Sequence, residues 1–460
     1  MQKIEYISNK QTIIFDGEFN KQLDVDLIRG HTKLIFTNCY LTEKLFDHYD
    51  KNKIQYGFGI TPNMNGLTKF NQDISNLCSS IKQLILSDCF NKSVSNLPHT
   101  LTHLKFGYHF NQDVSNLPNT LTNLTFGFEF NQDVSNLPQT LTTIKFGKRF
   151  NRDISNLPQN IKDLTIDTIY NQMDLSNLPS ALTHLTFNND VYTDISNLPP
   201  KLTHLTFEFN FNGDDVSNLP STLTHLTFGD NFNQDVSNLP SALTHLMFYG
   251  DFNQDISNLP SNLMELILGY NFNQDMSNLP QSLQNLTVSD DFNQNLSILP
   301  KGLTHFNLGF DFLGPGYSSI GTFFNENILN LPLNITHLSI GYRFKSVFNI
   351  PSNIKHLILN CNNEHLINAL SNSIMELELN TDFNLEMNNL PSSIKKLSIN
   401  KMSRYNMELN CLPNFIEVLQ LNLFYNKRIL SIPPTIKKLI CWEYYPYKSD
   451  FKCDIEIYDM

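Results

Sequence analysis

The chain alternates apolar and polar positions on a fixed beat. Residues 110–129 read FNQDVSNLPNTLTNLTFGFE, and residues 130–149 read FNQDVSNLPQTLTTIKFGKR. Each unit contains Leu-x-x-Leu-x-Phe, as in Leu101, Leu104 and Phe106. Leu104 and Phe106 alternate with His103 and Lys105, the two-residue period of a strand with one buried face. The strand is short, about 3 to 5 residues. The remaining residues leave no room for two turns and a helix of about 10 residues. The Phe-Asn-Gln-Asp-Val-Ser-Asn-Leu-Pro half is therefore expected to be extended, or at most a single 3₁₀ turn. Its proline suits a turn and not a central ladder position. Leu101, Leu104, Phe106, Phe110, Val114 and Leu117 should point inward, and only stacked units bury such a face.

The proline of Asn-Leu-Pro is a ruler for the repeat. It recurs at Pro98, Pro118, Pro138, Pro158, Pro179, Pro199, Pro220, Pro240, Pro260, Pro280 and Pro300, with a spacing of 20 and two steps of 21. It continues more loosely at Pro332, Pro351, Pro391, Pro413 and Pro433, while Cys78 and Ser371 fill two further places, giving 18 units. The extra residue of each 21-step falls near Met173 and near Gly213, so the Gln-Asp stretch belongs to a turn, which tolerates insertion. A larger insertion near 310–327 carries Gly314-Pro315-Gly316 and Gly321 and reads as a protruding loop. Decayed copies appear upstream, at Phe19-Asn20 and Leu34-Ile35-Phe36, and Lys3 to Phe15 reads as a capping hairpin around Asn9-Lys10. A short helix is expected at Leu41 to Tyr49. The tail from Trp442 breaks the pattern and is expected to cover the last open edge.

Stacking turns each repeated position into a column. The aromatic column runs Phe70, Phe90, Phe110, Phe130, Phe150, Tyr170, Val191, Phe211, Phe232, Phe252, Phe272 and Phe292. The adjacent Asn71, Asn91, Asn111 and Asn131 are read as a buried amide ladder satisfying backbone groups next door. Eighteen strands at about 4.8 Å would make a rod about 85 Å long.

Leu-x-x-Leu-x-Phe followed by Phe-Asn and Leu-Pro looks like a short leucine-rich repeat. It resembles more specifically the FNIP repeat, which Phe348-Asn349-Ile350-Pro351 spells literally while most units carry Ser-Asn-Leu-Pro. The resemblance implies a right-handed parallel β-solenoid of the leucine-rich-repeat kind, mainly strand and coil, with one continuous core. Residues 1–66 would form the N-terminal cap, 67–441 the solenoid and 442–460 the C-terminal cap. FNIP-repeat proteins are abundant in social amoebae and in giant DNA viruses of amoebae. Many carry an N-terminal F-box that docks a ubiquitin-ligase core; others carry a kinase or repeats alone. The strand-like residues 1–66 leave little space for the 40 to 50 helical residues of an F-box.

Composition narrows the function. The net charge of −12, from 44 acidic and 32 basic residues, argues against a sequence-independent nucleic-acid binder and against a polybasic membrane anchor. No apolar run approaches the roughly 20 residues of a membrane span, and MQKIEYISNK lacks the apolar core of a signal peptide. The seven cysteines are odd in number, scattered and without a CxxC pair, so neither zinc ribbon nor disulfide framework is indicated. The cytoplasm is the expected compartment, that of the host if the chain is viral. No phosphate loop, GxSxG or HExxH is present, and the Ser, His and Asp residues that stand out all belong to the repeat. No catalytic residue, cofactor, metal or small-molecule substrate is expected.

Two polar columns are candidates for binding. The residue before the second Leu is histidine at His103, His184, His204, His225, His245, His305, His337 and His356, beside threonines that include Thr186, Thr206 and Thr227. Three readings stand: solvated imidazoles copied by duplication, a ligand-binding strand face, and imidazoles bridged by metal. No cysteine joins them and no supporting carboxylate is evident in the repeat, which counts against metal. Close imidazoles should resist simultaneous protonation, so some pH sensitivity below about pH 6 is expected. The second column is Asp73, Asp113, Asp133, Asp153, Asp174, Asp194, Asp215, Asp235, Asp255 and Asp275. Each can accept from the backbone N–H two residues on, as an Asx-turn; a calcium ladder is the rival, without the glycine-dense turns it usually has. The expected function is an interaction scaffold presenting its strand face to a protein partner. The alternative is a substrate-recruiting adaptor for a ubiquitin ligase.

Overall fold

The computed structural model describes residues 6–8, 11–16, 19–36, 68–170, 173–190, 194–209, 211, 216–289, 292–296, 298–309, 331–341, 344, 350–380 and 383–458. The expected helix at Leu41 to Tyr49, the loop near 310–327, and Phe348-Asn349, Val191, Gly213 and Asp215 lie outside them. The chain falls into two compact units, residues 1–223 and 224–459, where the pattern reads as one continuous solenoid. A stack whose coils touch mainly their neighbours divides readily, because few contacts reach past the next coil.

In the first unit β1 (Tyr6–Ser8) and β2 (Thr12–Phe15) pair antiparallel around residues 9–10. Every later pairing runs parallel, from β2 to β3 (Lys33–Phe36), to β4 (Gln83–Ile85), and onward to β10 (His204–Phe207). In the second unit the parallel ladder runs from β11 (His225–Phe228) to β22 (Asp454–Ile457). The repeat strands are three or four residues long with the second residue buried, as in β5 (His103–Lys105) and β9 (His184–Phe187). Register follows the sequence beat: Leu185 faces Leu205, and Phe187 faces Phe207.

Each ruler proline opens a β-turn. Its carbonyl accepts from the N–H three residues on, as Leu121 to Pro118 and Leu243 to Pro240, both at 3.1 Å. Proline has no N–H to lose there. Successive coils are tied by backbone and hydroxyl together: Thr122 and Asn123 N–H both donate to the Thr102 carbonyl, and Thr120 Oγ1 donates to the Leu101 carbonyl at 2.8 Å.

The six inward positions of the unit at 101–117 are all buried. Phe90, Phe110, Phe130 and Phe150 stack at 6.1 Å, as do Phe232, Phe252, Phe272 and Phe292 in the second unit. Each buried ring contributes about 2 kcal/mol. Tyr170 departs from the column: it is 42% exposed. Its coil carries the extra residue, and Thr168 turns its hydroxyl to the Phe150 carbonyl. One half-unit also departs from the extended expectation, as α2 (Glu364–Asn368), capped by Asn363 and burying Leu366 and Ile367. A four-residue α1 (Val25–Ile28) lies upstream. The tail supplies a further coil: Tyr445 follows Tyr405 and Tyr425 in the aromatic column, and β22 pairs with β21 (Lys438–Cys441). No described helix is long and apolar enough to cross a membrane.

Candidate functional site

Parallel, in-register pairing decides which histidines meet. His184 faces His204 in the first unit. In the second, His225 faces His245 on β12 (His245–Phe248), and His305, His337 and His356 follow one another on β15 (His305–Leu308), β16 (His337–Ile340) and β17 (His356–Leu359). Ring centroids stand 4.1 Å apart for His184 and His204, 4.1 Å for His225 and His245, 4.0 Å for His305 and His337, and 4.1 Å for His337 and His356. His103 stands apart, between Gln83 and Asn123. Thr206 faces Thr186, whereas Thr227 faces Met247.

A second set of threonines, missed by the sequence reading, holds the rings. Nδ1 of His184 lies 2.9 Å from Thr183 Oγ1, and Nδ1 of His305 lies 2.9 Å from Thr304 Oγ1. The same contact is made by Thr102, Thr203, Thr224, Thr244 and Thr336. A threonine hydroxyl has one proton. In Thr183 it points to the Lys162 carbonyl at 3.0 Å, and in Thr304 to the Gln284 carbonyl at 3.2 Å. The imidazole Nδ1 is then the donor, which assigns the proton to Nδ1 and leaves the lone pair on Nε2. The signal was in the sequence as Thr-His, but the preceding coil's carbonyl is visible only once register is known.

Burial, and then the imidazoles of His305 and His356, hold His337 below the ordinary imidazole value, against an opposing pull from Glu376. His103 is also lowered, by burial and then by Lys33. Carboxylates flank the rows: Glu265 Oε2 lies 3.6 Å from His245 Nε2, and Glu376 Oε2 lies 3.5 Å from His356 Nδ1. Asp163 faces His184, and burial pushes its carboxyl up. Farther along the second unit the strand face is charged and paired coil to coil, as Lys396 with Glu376 at 3.4 Å and Lys437 with Glu417 at 2.6 Å. Exposed pairs like these contribute little stability.

Among the described residues the aspartate column forms the expected turns. Ser115 N–H donates to Asp113 Oδ1 at 3.0 Å and Ser115 Oγ donates to Asp113 Oδ2 at 2.8 Å. Asp73, Asp133, Asp153, Asp194, Asp235, Asp255 and Asp275 make the same pair of bonds. Backbone and side-chain bonds from Ser115 hold the Asp113 carboxyl below the usual range. Both oxygens are thereby engaged within their own turn. The asparagine ladder exists, but it is not buried. Asn131 N–H donates to Asn111 Oδ1 at 2.9 Å and Gln132 Nε2 adds a second bond at 2.9 Å, on a half-exposed edge. The turn runs along the surface, so the amide bridges coils there instead of inside the core. Among the described residues no three His, Cys, Asp or Glu side chains converge as a metal site.

The model of the FNIP repeat matches residues 70–109, 94–129, 110–149, 130–168, 215–251, 235–271, 272–311 and 362–401, together more than half of the chain. No curated protein matches. Among solved structures the fold is similar to CroV588, a circular leucine-rich-repeat protein from a giant virus, at 29% identity and a TM-score of 0.56, over 85% of this chain and 78% of that one. It is also similar to YopM from Yersinia enterocolitica, at 21% identity and a TM-score of 0.42, over 82% of each chain. Its parallel coils, proline-opened turns and stacked Phe-Asn positions, matched over that span, place the chain in the FNIP-repeat family.

Proposed function

We propose that the chain is a non-catalytic scaffold that offers the strand face of its repeats to a protein partner. The observation that carries this reading is the contrast between the two sides of each strand. One side is wholly apolar and buried; the other presents aligned imidazoles and hydroxyls, as His184, Thr186, His204 and Thr206, that can exchange hydrogen bonds with a polypeptide. Repeat solenoids suit such work because one rigid surface carries many equivalent positions. The binding residues are proposed as His103, His184, His204, His225, His245, His305, His337, His356, Thr186, Thr206 and Thr227. The cytoplasm is the proposed compartment, that of the host if the chain is viral.

The test is affinity purification of the tagged full chain from amoebal cytosol, alongside a chain carrying His184→Ala, His204→Ala and Thr206→Ala. A stoichiometric protein retained by the first and lost by the second is the expected result. A partner held equally by both removes the strand face from consideration. Cullin and its linker protein in the eluate would replace the plain scaffold by the ubiquitin-ligase adaptor.

A further inference from the structure

The strand face of the first unit carries two lysines without carboxylate partners. β5 is followed in the ladder by β6 (Asn123–Thr125) and β7 (Thr143–Phe146). Register sets Lys105 beside Thr125 and Thr125 beside Lys145. Two lysines thus flank one hydroxyl, with their backbones about 10 Å apart. No Asp or Glu stands on any strand from β3 to β7, although the chain holds 44 acidic and 32 basic residues. Among the described residues neither lysine forms an ion pair. Lys396, Lys437 and Lys438 of the second unit, by contrast, each meet a glutamate of an adjacent coil, at 3.4, 2.6 and 2.5 Å. Acids border the lysine pair but are engaged elsewhere. Asp88 Oδ2 accepts from the Thr68 N–H and hydroxyl, Glu129 meets His109 and Arg149, and Asp167 accepts from the Asn189 amide. Burial, and then the charge of Lys145, hold the Lys105 ammonium below the ordinary lysine value, against a pull from Asp88.

We propose that β5 to β7 dock an extended acidic segment of a partner protein, with one carboxylate held between Lys105 and Lys145 above the Thr125 hydroxyl and a neighbouring apolar side chain laid against Tyr108 and Phe128. This rests on reading the strand face as a docking surface, and it gives that surface a partner chemistry. The flexible stems of the two lysines let both ammonium groups close on one carboxylate. Charge-assisted hydrogen bonds of that kind are about twice as strong as neutral ones, and the Thr125 hydroxyl can donate a third. Docking also removes the repulsion between the lysines. Tyr108 and Phe128 follow the ends of β5 and β6, half-buried and stacked 4.5 Å apart with planes within 7° of parallel. An acidic residue with an apolar neighbour therefore finds lysines and then rings. A nucleic acid fits worse. It carries a phosphate at every nucleotide, and Asp88, Glu129 and Asp163 border the pair with like charge.

The experiment follows the fluorescence anisotropy of labelled probes with the full chain at neutral pH and low salt. The probes are soluble glycine–serine peptides carrying glutamate–leucine pairs, copies with glutamine or lysine in place of glutamate, and an oligothymidylate of similar length. The glutamate peptide should bind at least ten-fold more tightly than the other three and lose affinity as salt rises. Lys105→Gln with Lys145→Gln should remove that advantage, and Lys105→Glu with Lys145→Glu should pass it to the lysine peptide. Lys396→Gln with Lys437→Gln takes away the same charge from ion-paired positions and should leave it intact. Equal loss in the two glutamine variants, no preference for glutamate over glutamine, or tighter binding of the oligothymidylate would overturn the proposal. The chain with His184→Ala, His204→Ala and Thr206→Ala should bind the glutamate peptide normally, so failure of the lysine site and failure of the scaffold are read in different variants. Thermal midpoints separate lost binding from lost folding, and Lys145→Gln alone replaces the pair if the pair does not fold.

Discussion

A single aspartate shows how little of each coil is left to chance. Asp113 spends one oxygen on the Ser115 N–H and the other on the Ser115 hydroxyl. Asparagine at 113 keeps the first bond and loses the second; alanine loses both. Thermal midpoints should therefore fall in the order wild type, Asp113→Asn, Asp113→Ala, and a reversed order would dissolve the turn reading. The carboxyl sits below its usual range in the folded chain. Its stabilisation is complete above the unfolded value, near about pH 4, and is lost as pH falls through the lower folded value. Asp73, Asp133, Asp174, Asp194, Asp255 and Asp275 are shifted the same way, each first by bonds from the serine two residues on. Circular dichroism should thus show acid unfolding beginning below about pH 4, and replacing Asp113 and Asp133 by Asn should make the fall shallower. Tyr405 is the opposite case. Its ring is fully buried, its hydroxyl has no hydrogen-bond partner, and burial, followed by Tyr425 and Glu386, pushes the phenol far up. Tyr405→Phe should leave stability unchanged or raise it by up to about 1 kcal/mol; a denaturant midpoint that drops would reveal a bond to that hydroxyl.

At the scale of the element, the coil is defined by how closely it meets the coil before. A Cβ at Gly127 would stand 1.9 Å from the Gly107 carbonyl oxygen. Gly127→Ala should cost about 1–3 kcal/mol, as overpacking does, and chemical denaturation would show it; an unchanged midpoint would mean the backbones can part. Asn111→Ala removes the acceptor shared by Asn131 N–H and Gln132 Nε2, and should cost about 1 kcal/mol. These contacts also mark the limit of what the sequence makes legible. Strand, turn and inward face are written in local periods, so Leu104, Phe106 and Pro118 could be placed by counting. The Asx-turn at Asp113 spans two residues and was equally readable. The hold of Thr183 on His184 was not, because half of it lies on Lys162, a coil away. Nor was the exposure of Asn111, since a polar residue beside a buried phenylalanine reads alike whether its turn faces inward or along the surface. Tyr170 escaped for a third reason: the extra residue in its coil changes the path without changing the pattern on either side.

At the scale of the molecule, stability accumulates coil by coil, since each repeat meets its neighbours in the same way. Deleting residues 110–129 should bring Phe130 against Phe90 and leave a shorter folded chain, with the strand signal in circular dichroism reduced in proportion. Deleting 110–119 alone, half a repeat, should abolish cooperative melting, because every later inward position would lose its place. Equal tolerance of both deletions would argue against a stack built on this beat. The same uniformity creates an ambiguity for the folding chain. Phe110 lies 6.1 Å from Phe90 on one side and 6.1 Å from Phe130 on the other. A chain that skipped a coil would find almost the same welcome at the next, and looping out twenty residues costs only a few kcal/mol of closure entropy. The irregular coils resolve this. Between Pro158 and Pro179 the spacing is longer and Tyr170 faces outward, so this coil does not match the twenty-residue coils on either side of it. Such blemishes act as indexing notches, fixing the count of otherwise interchangeable parts.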